Sequence, residues 1–457
     1  MTLPAPLALL AASLTLCASL FAGEPTADNP KEDPRSAKPG KVYQWTSGED
    51  ELPFEFYVPK SYDPEKGANL TVVLHGNGLD HRWTFLNHPI DEFRPDDIIV
   101  SPDGTTPKGK TNTGAAEFLG GSSDVERLHE FLGELKEIWN VRRTYLYGHS
   151  QGSFFVFYYA GEHPEDIDGV CGHASGTWAN TQMTKKAHHV AIGFLHGTDD
   201  HVPYGQSHYS AGAYREKKFP LVHMRTLFDW PHRPHWMQAA SVLAWCEGMT
   251  SDDPDGVAAC VETLAQPKLP MGANWSALWA VADRLSGLEG ASAKQKKLGR
   301  SAADAVDKLA ADHAKAISKG LGKGKLGELS KGTWAGELIR FVEDFHGVPA
   351  QAEFLKKQKK AIAALEKTAQ DALEDYWKNR KKKPDKAFDA GVELLSGGFL
   401  SYRCVEVLDQ LKKWSDGGTV KLSKKDKAAF EELVELYEEA RKEGFADFVK
   451  RCEKAKL

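Results

Sequence analysis

Between residues 41 and 250, short apolar runs alternate with longer stretches of helical spacing. The runs are Leu70-Thr71-Val72-Val73-Leu74, Asp97-Ile98-Ile99-Val100, Thr144-Tyr145-Leu146-Tyr147, Val190-Ala191-Ile192-Gly193-Phe194-Leu195 and Leu221 to Phe228. Most are near-continuously apolar, which predicts strands of a sheet covered on both faces. Between them, Ser123 to Trp139, Ser153 to Gly161 and Met237 to Cys246 read as helices. Strands alternating with helices pair in parallel, because a crossover helix carries the chain back to the same end of the sheet. The expected fold class for residues 41–250 is α/β, a mostly parallel sheet with helices on both faces.

Beyond Thr250 the pattern changes. Ser251-Asp252-Asp253-Pro254-Asp255-Gly256 is rich in turn formers and predicts a linker over 251–260. From 261 to 457 Ala, Lys, Glu and Leu dominate and strand signals vanish. Leu355, Ile362, Leu365, Ala369, Leu373 and Tyr376 recur at helical spacing, as do Phe430, Leu433, Leu436 and Tyr437. A separate all-α helical domain is expected there, with no internal repeat. The basic run Lys378 to Lys386 reads as a solvated helix end. Gly320-Leu321-Gly322-Lys323-Gly324-Lys325 lacks the spacing of a phosphate loop and reads as a turn.

Met1 to Gly23 contains no charged side chain and is rich in Leu and Ala, which predicts a secretory signal peptide and export. Cys17 follows Leu16, too bulky for a lipoprotein cleavage site. Residues 24–40, rich in Pro and charge, are expected to be a disordered leader. No other stretch is long and apolar enough for a transmembrane span. Export permits disulfides, and Cys246 and Cys260 are close enough in sequence to pair; Cys171, Cys404 and Cys452 complete the set. The formal net charge of −6 is small for 457 residues and gives no reason to expect nucleic acid as a partner.

The chemistry centres on Gly148-His149-Ser150-Gln151-Gly152. A predicted strand runs into this motif and a predicted helix runs out, the context of a nucleophile elbow. The glycines permit the tight turn that lifts the Ser150 hydroxyl off the sheet. A serine hydroxyl is a weak nucleophile without a base, and the base needs an orienting carboxylate. Carboxylates suited to the role follow the strand ending at Leu195, where Asp199 and Asp200 lie past the strand's C-terminal end. After the strand ending at Phe228 comes Pro231-His232-Arg233-Pro234-His235-Trp236. His235, at the start of the following helix, is the expected base, with His232 as the alternative. His188, His189, His196, His201, His208 and His223 crowd one region, but no metal-ligand spacing such as H-E-x-x-H occurs, so no metal and no cofactor are expected. His196 is expected to shape the acid loop. Trp178, Trp230 and Trp236 follow strand ends and would line a cleft or pack in the core.

These residues together resemble a family. Tyr57-Val58-Pro59-Lys60-Ser61-Tyr62, His75-Gly76-Asn77-Gly78, Ser101-Pro102-Asp103-Gly104, the elbow, and His196 to Tyr204 look like secreted α/β-hydrolase esterases of the polyhydroxybutyrate depolymerase and feruloyl esterase type, relatives of dienelactone hydrolases. The resemblance covers about 45–248 and none of the helical domain. It implies an α/β-hydrolase fold and a serine esterase acting on a small-molecule or polymer-borne ester. It implies Asp200 as the acid, four residues after His196, whereas counting back from Pro203 selects Asp199. It also implies an oxyanion hole built from the backbone N–H groups of Gln151 and of Gly76 or Asn77. Two other readings are a serine peptidase on the same fold and an inactive hydrolase-like binding protein acting through its helices. The segment Thr105 to Ser122 is expected to overhang the site.

Overall fold

A computed structural model describes residues 33–428 apart from 48–51, 105, 108–115, 118–121, 177–183, 199, 201, 203–204, 229, 267–271, 322–332 and 397–401, together with 430, 431 and 434. The expected signal peptide, Asp199, His201, Trp178 and most of the expected overhang therefore lie outside the described residues.

The main sheet has eight strands. They are β1 (Val42–Ser47), β2 (Leu52–Tyr57), β3 (Ala68–Leu74), β4 (Ile98–Pro102), β5 (Val141–His149), β6 (Gly169–His173), β7 (Ala191–Gly197) and β8 (Val222–Leu227). Their order across the sheet is β1-β2-β4-β3-β5-β6-β7-β8. β1 and β2 form an antiparallel hairpin, and β2 runs antiparallel to β4. β4, β3, β5 and β6 are parallel neighbours, with Leu70 opposite Ile98 and Leu74 opposite Gly148. All seven residues of β3 are buried, as its unbroken apolar run requires of a strand covered on both faces.

The five strands expected from hydrophobic runs are present. Three were not anticipated, each for a physical reason. β1 and β2 carry Gln44, Pro53 and Glu55, which blur the apolar pattern of strands near a sheet edge. β6 is Gly-Val-Cys-Gly-His, poor in intrinsic strand preference; pairing along β5 overrides that weakness.

Two helices flank the centre of the sheet: α1 (Ser122–Ile138) precedes β5, and α2 (Gln151–Glu162) follows it. From α1, Phe131, Leu132 and Leu135 are fully buried, and the Phe131 ring meets Phe54 edge-on at 5.0 Å. From α2, Phe155, Val156 and Tyr159 are buried beneath the same sheet. Each such side chain contributes about 1.5–3 kcal/mol through removal from water.

By its contacts the chain divides into two compact units. One holds residues up to Gly193 with Gly212–Val222 and Pro234–Leu243; the other holds Phe194–Ala211, His223–Arg233 and Ala244–Leu457. The second unit contains α3 up to Ala211 (α3 spans Gly205–Glu216), α4 from Ala244 onward (α4 spans Trp236–Thr250), α5 (Pro254–Leu264), α6 (Trp275–Gly287), α7 (Ala293–Leu321), α8 (Thr333–Asp344), α9 (Pro349–Asn379), α10 (Pro384–Ser396) and α11 (Tyr402–Asp416).

Within this unit buried charges join α8 to β8, the last strand of the sheet. Arg225 donates to Asp344 at 2.7 Å and to the Gly272 carbonyl at 3.0 Å. Thr226 donates to Glu343 at 2.7 Å, and His208 lies 3.2 Å from the same carboxylate. The Arg340 guanidinium stands 4.7 Å above the Phe228 ring. Tyr376, Phe388, Val407 and Leu411 form a further core among α9, α10 and α11. Cys246 and Cys260 are buried as thiols rather than bridged, contrary to the pairing their spacing allowed. No described helix is long and apolar enough to cross a membrane.

Candidate active site

Ser150 sits between the end of β5 and the start of α2, with φ 55° and ψ −111°. A non-glycine residue in that region stores roughly 1–3 kcal/mol of strain, held by its surroundings. The supports are visible. The Ser150 N–H donates to the His173 carbonyl at the end of β6 (2.8 Å), and the Ser175 hydroxyl donates to the Ser150 carbonyl (3.0 Å). The flanking glycines are sterically required. A Cβ on Gly148 would lie 2.2 Å from the Gly152 carbonyl oxygen, and one on Gly152 would lie 2.3 Å from the Leu74 carbonyl oxygen. β5, α2 and the end of β3 thus meet at a point with no room for a side chain.

The loop after β3 runs beside the serine. A Cβ on Gly76 would stand 3.2 Å from the Ser150 Cβ. The Gly76 carbonyl accepts from the Leu79 N–H (3.2 Å), closing a turn that leaves Asn77 exposed. His75 Nδ1 donates to the Gly76 carbonyl at 2.9 Å. Behind it, Asp103 at the end of β4 accepts from the His81 N–H at 2.6 Å and lies 3.2 Å from His81 Nδ1 and 3.6 Å from His75 Nε2. Burial alone would raise the Asp103 carboxyl, but hydrogen bonds from His75 and His81 outweigh it and hold the group at about 2. Burial likewise works against the His81 imidazolium, and Asp103 overcomes it and raises His81 above its ordinary value. Trp83 stacks on His149, 5.3 Å between centroids, and His149 meets His173 edge-on at 5.0 Å.

In the second unit, the loop after β7 carries Asp200. Its carboxylate accepts from the Val202 N–H at 2.7 Å. It also faces the His232 ring: Nδ1 lies 2.8 Å from one oxygen and 2.9 Å from the other. A carboxylate can only accept, so Nδ1 carries the hydrogen and Nε2 is the nitrogen left to take a proton. The Asp200 side chain is 1 % exposed. His196 braces the loop: Nε2 donates to the Val202 carbonyl (3.0 Å), and Nδ1 accepts from Ser207 (2.6 Å). Burial pushes the His196 imidazole down to about 4, consistent with a neutral ring that both donates and accepts. The Trp230 indole donates to the Arg233 carbonyl (2.9 Å), closing the loop that carries His232.

Of the expected residues, Ser150, Gln151 and Gly76 lie together at the elbow, and Asp200 is joined to His232. His235 is buried immediately before α4, where its carbonyl accepts from the Ala239 N–H. Sequence reasoning missed the roles of His81 and Asp103. Their signal was present, because Asp103 belongs to the Ser101-Pro102-Asp103-Gly104 motif that follows an apolar strand.

Residues 103–229 match the family described as "alpha/beta hydrolase fold". No curated protein sequence matches the chain. Among solved structures, esterase PE8 is similar at 19% identity, covering 41% of this chain and 95% of its own, with a TM-score of 0.34. The carboxylesterase of Bacillus cereus is similar at 16% identity, covering 43% and 94%, with a TM-score of 0.36. A feruloyl esterase module from Clostridium thermocellum, complexed with sinapinate, is similar at 13% identity, covering 47% and 89%, with a TM-score of 0.36. The strand order and the family match together define this chain's α/β-hydrolase fold.

Proposed function

We propose that the protein is an exported serine esterase that works through an acyl-enzyme on Ser150. The observation that carries this reading is the strained Ser150 backbone, wedged between two glycines whose hydrogens fill the only space available. Strain held by its surroundings in this way clusters at active sites, and here it falls on a side chain that can react. Ser150 Oγ attacks the ester carbonyl as His232 Nε2 takes its proton. Asp200 holds the imidazole in the required tautomer and stabilises the imidazolium. The Gln151 and Gly76 backbone N–H groups receive the charge that develops on the carbonyl oxygen. The alcohol leaves with the proton from His232. Water, deprotonated by the same ring, then releases the acid and restores the serine. No cofactor enters the scheme.

The base in this proposal is His232 rather than the sequence-preferred His235. The Asp200–His232 hydrogen bond supports the change, since an orienting carboxylate is what the base requires. Export rests on the uncharged apolar segment Met1 to Gly23. Ser150→Ala is expected to lower kcat/KM on p-nitrophenyl acyl esters by roughly 10³-fold or more, with an unchanged circular dichroism spectrum. It is also expected to abolish labelling by a fluorophosphonate probe. Retention of full activity by a folded Ser150→Ala variant refutes the reading.

A further inference from the structure

At the other end of α2 from Ser150, three potential metal ligands converge. His129 lies on α1, His163 caps the C-terminus of α2, and Asp166 ends the 3₁₀ turn Pro164–Asp166. One donor atom from each lies within 4.8 Å of the other two, and this is the group of such ligands among the described residues. The two imidazole rings stack with centroids 4.3 Å apart and planes 18° off parallel. His129 Nδ1 lies 2.7 Å from Asp166 Oδ2, and the Tyr159 hydroxyl donates to that same oxygen. Two further carboxylates stand at the rim: Glu165 Oε1 is 3.3 Å from His163 Nδ1, and Glu126 Oε1 is 3.9 Å from His163 Nε2. The cluster opens to solvent, with His129 the most exposed member and Asp166 and His163 mostly covered. The ester chemistry uses none of these groups.

We propose that His129, His163 and Asp166 bind a divalent transition-metal ion, with Zn²⁺ the expected occupant. Two imidazole nitrogens and one carboxylate make a donor set suited to zinc and unsuited to Mg²⁺ or Ca²⁺, which take oxygen ligands. The ligands come from α1, the C-cap of α2 and the 3₁₀ turn that follows it, and the hydrogen bond from Tyr159 orients the Asp166 carboxylate from behind. To bind the ion, His129 and Asp166 exchange their direct contact for it and the donors, now within 4.8 Å of one another, draw in to bonding distance. Glu126 or Glu165 can supply a fourth oxygen, or water can fill the position. The ion ties the C-terminal end of α2 to α1. α2 has 12 residues and so spans roughly 18 Å, which makes the site a clamp on the helix behind the serine and not part of the reaction.

The test is isothermal titration of chelator-treated full-length protein with ZnCl₂, alongside MgCl₂ and CaCl₂. Saturable zinc binding is expected to weaken at least tenfold in His129→Ala and in His163→Ala, with no saturable heat from Mg²⁺ or Ca²⁺. Both variants are expected to hydrolyse p-nitrophenyl esters at the wild-type rate. In the wild type alone the Tm is expected to rise with added zinc. Anomalous scattering at the zinc edge from crystals of zinc-soaked wild type gives a readout that does not depend on how the variants fold. It is expected to show a peak between His129 and His163. Unchanged zinc affinity in both variants, or a zinc peak only elsewhere on the molecule, overturns the proposal.

Discussion

Asp103 is a single carboxylate with two imidazoles and a backbone N–H directed at it, and one of those imidazoles, His75, immediately precedes Gly76 in the loop beside Ser150. Its folded-state value of about 2 lies below the unfolded value of 3.8. The stabilisation is therefore present above about pH 4 and is lost as pH falls from about 4 to about 2, with a size of about 2 kcal/mol. Asp103→Asn is expected to flatten that part of the pH–stability curve in urea denaturation. Because His75 also holds the Gly76 carbonyl, the same variant is expected to lower kcat by roughly 10- to 100-fold, with a smaller change in KM. The choice of base is a second residue-scale question. His232→Ala is expected to lower kcat about as far as Ser150→Ala does, because members of one catalytic unit are not additive. His235→Ala is expected to act mainly on stability. An equal loss of kcat in His235→Ala, with His232→Ala near wild type, reverses the assignment. Sequence spacing narrowed the base to these two residues, since both follow the last strand. It favoured His235 for its place at the helix start, but the choice depends on which ring faces Asp200, and the ring that does so is that of His232 in the Pro231–Pro234 loop.

At the scale of elements, the elbow was the most legible feature, because a strand, two glycines and a helix are all local signals. Its steric basis makes a sharp prediction. A methyl group at Gly152 meets main-chain oxygens of Leu74 and His75, which cannot rotate away. Gly152→Ala is expected to cost about 3 kcal/mol or more in urea denaturation, whereas Gly133→Ala on the open face of α1 is expected to be neutral or slightly stabilising. β1, β2 and β6 were illegible for the opposite reason. Their residues become strand through neighbours distant in sequence, as Phe56 does by packing against Trp139 at 5.5 Å. The acid loop is intermediate: its motif was readable, but the bracing of Val202 and Ser207 by His196 required the three-dimensional arrangement.

At the scale of the whole molecule, two deeply buried histidines among the described residues favour unfolding in acid, while burial raises the Asp344 carboxyl to about 6 and offsets part of that loss. Burial pushes both His88 and His196 down to about 4. The unfolded chain takes up a proton at each near pH 6.5, while the folded protein refuses it until about pH 4. The stability linked to these rings is therefore complete above about pH 6.5 and is lost as pH falls toward 4, by about 3 kcal/mol for each ring. Replacing His88 by Leu is expected to remove about half of the slope that these two rings contribute in that window. The helical region was legible as helices from the Leu and Ala spacing, but its attachment was not. Arg225 and Asp344 are 3 % and 4 % exposed, and nothing in either local sequence marks the other as its partner. Asp344→Ala is expected to cost about 3–5 kcal/mol, because it leaves a buried guanidinium without its carboxylate.

That ion pair has a consequence during biosynthesis. Arg225 and Asp344 are separated by 119 positions, and Thr226 and Glu343 by 117. At roughly 5–20 residues per second, a ribosome needs about 6–24 seconds to deliver the second member after the first. For that interval the last strand of the sheet carries an uncompensated cation on an edge open to other chains. The nascent protein thus has a built-in waiting period, during which a chaperone has the most to protect.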